Sequence, residues 1–146
     1  MARRAKPTIF ASHCQMLQAL CKKWYGSHEV MFDFARKAAT DAPVGDPLGA
    51  VLALAHAEYL VEEGRASVPA SDLALVAAAS DRWVSGGEEA LRHSRAVEAH
   101  QLFGWLLRED ADRRRFHLSR VHGRIAQLPW SYLKDGQQVF LNLTTK

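Results

Sequence analysis

Apolar residues recur along this chain at the spacing of helices rather than strands. Cys14, Leu17, Cys21 and Trp24 fall at i, i+3, i+7 and i+10, one stripe of a first helix for which Ser12 is a plausible N-cap. Val30, Phe34 and Ala38, with the neighbouring row Met31, Ala35 and Ala39, give a second helix a broad apolar face. The junction Trp24-Tyr25-Gly26-Ser27-His28-Glu29 leaves room only for a tight turn. There Gly26 is expected to end the first helix in the left-handed conformation, and Ser27 to cap the second. The pair reads as a helical hairpin.

Asp41 to Pro47 is a breaker, and Asp46 with Pro47 then suits the start of a third helix running to about Glu63, closed by Gly64. A fourth, alanine-rich helix is expected from about Pro69 to Val84. Gly86-Gly87 separates it from a fifth, Glu88 to Arg108, whose stripe Ala99, Leu102, Phe103 and Leu106 marks it as the most central. The sixth, Asp110 to Leu128, is amphipathic, with Leu118, Val121, Ile125 and Leu128 on one flank. Pro129 ends it, and Trp130 to Leu133 form an apolar lid. In the tail, Val139, Leu141 and Leu143 alternate as in a strand, while Val139, Phe140 and Leu143 equally suit a helical turn.

The pattern defines an all-α domain of five to seven helices built from antiparallel hairpins. Residues 1–11 read as a flexible basic arm, 12–133 as the domain and 134–146 as a tail. The segment His100-Gln101-Leu102-Phe103-Gly104-Trp105 through Asp112, Phe116 and Ser119 resembles a tetratricopeptide repeat in spacing, although Asp112 stands where a small residue is expected opposite Phe116. The first hairpin departs further, carrying its aromatic pair at the end of its first helix. With its Trp-Tyr-Gly turn and late Pro-Trp-Ser-Tyr-Leu, the chain is also similar to helical proteins of actinobacteria. These resemblances imply a right-handed helical arrangement and a binding habit, not an activity.

Composition narrows the field. A chain of 146 residues, 48% hydrophobic and 24% charged, has the make-up of an ordinary globular domain. The net charge of +3 conceals a basic–acidic–basic order: residues 1–28 carry no acid, whereas 29–91 carry eleven against four Lys/Arg. A dedicated nucleic-acid binder concentrates its positive charge on one element. No apolar run reaches the length of a membrane span, and no apolar stretch follows Arg3, Arg4 and Lys6 as in a leader. Cys14 and Cys21 are two helical turns apart, about 10 Å, too far to pair. Free thiols and the absence of a membrane segment point to a cytoplasm, and the alanine and arginine bias to a bacterium.

Candidate chemistry is sparse. Arg113, His117, Arg120 and Arg124 follow i, i+4, i+7 and i+11, a basic stripe suited to phosphates or an acidic partner, unless it pairs with the acidic middle of the same chain. On the first hairpin Tyr25, His28 and Asp33 are the exposed candidates. A DNA-reading hairpin is disfavoured, because Glu29 and Asp33 would face phosphate. Glu89, His93 and His100 align on one continuous helix but lack a further metal ligand. Cys14 and Cys21, with His13 and His28, show no orienting group for nucleophilic catalysis. No cofactor or metal is expected. The leading expectation is a non-catalytic module that binds a protein or peptide, or a second copy of itself. A nucleic-acid- or anion-binding protein using the stripe comes next, and a small helical enzyme third.

Overall fold

The computed structural model describes residues 7–21, 26–64, 67–93, 95–121, 129–130 and 135–144. Among these every regular element is helical: α1 (Pro7–Leu20), α2 (His28–Asp41), a 3-10 turn (Pro47–Gly49), α3 (Ala50–Glu63), α4 (Ala70–Val84), α5 (Gly87–Leu91), α6 (Ala96–Leu106), α7 (Ala111–Ser119) and α8 (Gly136–Thr144). The described residues thus form eight α-helices, more than the five to seven expected. No helix among them is long and apolar enough to cross a membrane.

Two helices make the interior. Every residue of α3 from Ala50 to Glu58 is buried, as is every residue of α6 from Ala99 to Leu106. Four alanines on α3 let neighbours approach closely, and α1, α2, α4 and α6 all pack on it. Glu58 is tolerated inside because Gln18 of α1 donates to its carboxylate at 2.5 Å. Gly49 brings the 3-10 turn against α4, where an added Cβ would lie 2.2 Å from that of Ala79. Gly104 does the same for α6 and α7: its Cβ would fall 2.6 Å from Leu118.

Several boundaries follow the expected chemistry. Ser27 accepts from Val30 N–H at 3.1 Å, Asp46 from Leu48 N–H at 2.8 Å, and Asp110 from Arg113 N–H at 3.2 Å. Gly64, at φ 70°, closes α3 by donating to Leu60 O.

Other expectations are corrected. Helix α1 begins at Pro7, not after Ser12, because proline suits a first turn and Phe10 joins Leu17 and Cys21 in the core. The basic arm therefore does not extend to residue 11. Gly26 is needed for space: its Cβ would lie 1.9 Å from Leu20 O. Among the described residues the positive-φ glycines are Gly45, Gly64 and Gly87. Two helices stand where one fifth helix is expected, α5 ending at Leu91 and α6 starting at Ala96; His93 Nδ1 accepts from Arg95 N–H at 3.0 Å and competes with the helical pattern. Helix α7 ends at Ser119; Ile125 and Leu128 lie outside the described residues. The tail is helical over Gly136–Thr144, docked through Phe140 on Trp130 at 5.3 Å.

Candidate functional site

Structure redistributes the basic stripe. Arg113, near the start of α7, donates to both oxygens of Asp81 on α4, from Nε at 3.0 Å and Nη2 at 2.6 Å, and also to Asp110. Those bonds hold its guanidinium charged well above the usual range. Arg120 donates to both oxygens of Glu88 at 2.9 and 3.0 Å and lies over the Phe116 ring at 4.9 Å. Both arginines are thus paired with the acidic middle of the chain. His117 leaves the stripe altogether, since it is fully buried. The reason is helical phase: α7 seats on α6 through Leu118, and His117 turns inward with it. Arg124 and Tyr25 lie outside the described residues. His28 is half-buried, bound to Glu63 at 2.6 Å and set against the Tyr59 ring at 4.8 Å, so it ties α2 to α3. Asp33 is exposed on α2. The structure does not gather these residues into one place.

What it does gather is a buried polar chain that sequence spacing did not reveal. Ser80 Oγ of α4 lies 2.6 Å from His117 Nε2 of α7, and His117 Nδ1 lies 2.8 Å from His100 Nδ1 of α6. Trp83 covers His100 at 4.4 Å, and Phe103 stacks on His117 at 5.1 Å. Burial in this aromatic cage pushes His117 down to about 3, with repulsion from His100, Arg113 and Arg120 adding to it. His100 is pushed down to about 4, again mainly by burial. Neutral rings satisfy the chain with the protons running in either direction. One added proton is still hydrogen-bonded; two would set N–H against N–H between the rings.

The atom order copies a nucleophile, its base and an orienter, yet the site cannot work that way. A base near 3 draws a serine proton poorly at neutral pH. Ser80 lies within α4, so the backbone N–H groups around it are committed to the helix and form no oxyanion hole. Cys14 fares no better as a nucleophile, because burial pushes its thiol up to about 12. Cys21 is buried and donates to Leu17 O at 3.2 Å.

A second buried junction centres on Asp72, in the first turn of α4. It accepts from Arg36 Nε at 2.8 Å, from Arg36 Nη2 at 3.1 Å and from His56 Nε2 at 2.9 Å, joining α2, α3 and α4. Burial pushes its carboxyl up, but these hydrogen bonds outweigh it and hold it below the usual value. Near α1, Asp46 Oδ2 and His93 Nε2 are buried without a hydrogen-bond partner, and among the described residues no group of three side chains is placed to hold a metal. His93 follows the end of α5 whereas His100 lies in α6, so the two do not share a helix.

Among the described residues, open surface lies along α4. A cavity of about 470 Å³ is lined by Val68, Leu73, Ala74, Ala77, Leu106 and Leu107, with Arg108, Glu109 and Asp110 at one end. A second, of about 490 Å³, shares Asp110 with the first and lies between Ser80, Asp81 and Val84 on α4 and Asp112, Arg113 and Phe116 on α7. Leu73, Ala77, Ser80 and Val84 recur at i, i+4, i+7 and i+11, one face of α4. The groove was not legible beforehand because an alanine beside a leucine reads as core. Comparison of the chain with models of known families, with curated proteins and with solved structures finds no match.

Proposed function

We propose that the chain is a non-catalytic, tetratricopeptide-like interaction module of a bacterial cytoplasm that binds a protein or peptide partner in the groove along α4. The observation carrying this reading is the open apolar cavity floored by Leu73, Ala74, Ala77, Leu106 and Leu107. Concave apolar surface between helices is where an amphipathic segment gains affinity. The buried titratable groups support it from the other side, since His56, His100 and His117 are all held toward the neutral form. The free, inert cysteines agree with a reducing compartment. The anion-binding alternative loses support, because Arg113 and Arg120 are already paired within the chain.

The test is methyl NMR of the full chain against a panel of synthetic leucine-rich amphipathic helices. Shifts concentrated at Leu73, Leu106 and Leu107, and lost in Ala77→Glu, are expected. Shifts scattered away from α4, or none with any peptide, would overturn the reading.

A further inference from the structure

The two cavities meet at Asp110 and differ in their linings, and that asymmetry identifies what would lie across them as a groove. At the Leu73 end the walls are aliphatic. Around and past Asp110 the two linings hold four carboxylates, Asp81, Glu109, Asp110 and Asp112, against two guanidiniums, Arg108 and Arg113. Arg113 is bound to Asp81 and Asp110, and Arg108 is turned onto Trp105, donating to its carbonyl at 3.0 Å with its guanidinium over the ring at 5.5 Å. Glu109 and Asp112 are exposed, with no hydrogen bond or ion pair to their side chains among the described residues. The groove therefore presents apolar surface followed by uncompensated negative charge.

Resting on the interaction-module reading, we propose that the groove receives an amphipathic helix of a protein partner whose apolar anchors are followed, two to three turns on, by lysine or arginine. The spacing comes from α4 itself: Leu73 lines the first cavity and Asp81 lines the second beside Asp112, and they are eight residues apart, about 12 Å along the axis. A helical occupant suits the small side chains of Ala74 and Ala77, which allow close approach. The apolar anchors supply affinity on the Leu73–Leu107 floor. The basic residues meet Glu109 and Asp112 and fix the direction in which the helix lies.

Three fluorescein-labelled 16-residue helices test this by anisotropy against the full chain: one with leucines then lysines, one with glutamates replacing the lysines, and one with the lysine peptide's order reversed. The first should bind about tenfold more tightly than either of the others at low salt. The double variant Glu109→Lys/Asp112→Lys, both positions being exposed, should invert the preference between lysine and glutamate peptides. Ala77→Glu, with helicity checked by circular dichroism, should abolish binding. Equal binding of all three peptides to the wild type, with Ala77→Glu still abolishing it, would overturn this inference and leave the groove reading standing. No binding of any peptide would overturn both. Concentration-dependent dimerisation lost in Ala77→Glu would give the groove to a second copy and also overturn the peptide helix.

Discussion

Acid should weaken this fold well before its carboxylates titrate, and the buried imidazole pair sets the size of the effect. His117 and His100 are 0% and 2% exposed and are pushed down to about 3 and about 4. In the unfolded chain both return to about 6.5. A histidine depressed by folding contributes no penalty above its unfolded value. As pH falls below 6.5 the unfolded chain takes up protons that the folded chain refuses, so stability drops until the folded value is reached. Between pH 7 and pH 5 each ring costs about 2 kcal/mol, and the pair about 4, a large share of a domain's stability. His56, also depressed chiefly by burial, acts in the same direction. The assay is urea unfolding followed by tryptophan fluorescence at pH 7, 6 and 5, comparing wild type with His117→Gln. Glutamine keeps an acceptor toward Ser80 but does not titrate, so the variant should lose about 2 kcal/mol less over this interval. On the folded chain, proton NMR should show neither ring titrating above pH 5. Parallel pH curves for the two proteins, or a His117 signal that titrates near 6.5, would refute the buried neutral pair.

Three further outcomes follow from the packing and the buried groups. Gly49→Ala puts a Cβ 2.2 Å from that of Ala79, which has no rotamer to move, and should cost about 3 kcal/mol; thermal melts should show Ala79→Gly recovering much of it, and an additive double variant would be evidence against the contact. Asp72→Asn removes the charge that Arg36 and His56 share, and with Arg36 40% exposed the loss at pH 7 should be about 2 kcal/mol by urea titration. Cys14 should react with iodoacetamide about a thousandfold more slowly at pH 8 in the folded than in the unfolded chain, because its thiol is pushed up to about 12; comparable rates would mean an accessible thiolate.

Helical spacing made the all-α class and most segments legible, and it did so where one face of a helix is buried. The caps at Ser27 and Asp46 were readable because a side-chain oxygen meeting a nearby N–H is a local event. The Ser80–His117–His100 chain was not, because its members come from three helices and its separations of 37 and 17 residues carry no period. His117 shows the limit most clearly. At i+4 from Arg113 it reads as one more member of a charged stripe, yet the inward phase of α7 is decided by Gly104 letting Leu118 close on α6. Asp72 was equally hidden, since an acid in a first helical turn ordinarily answers the dipole and needs no buried arginine or histidine.

Helix α4 carries both the lining of the groove and the anchors of the buried polar junctions. Asp72 at its start draws in α2 and α3, and Ser80 and Asp81 in its second half hold α7. These polar ties hold α7 beside α4, and on the cavity face of α4 the small side chains of Ala74 and Ala77 leave the gap unfilled. The same ties commit the groups that chemistry would need. The serine is bonded to a neutral imidazole, the carboxylate to a guanidinium and the stripe arginines to acids. What α4 leaves to solvent between its anchors is alanine and leucine beside the carboxylates of Glu109 and Asp112, and it is on this surface that the proposed amphipathic helix would lie.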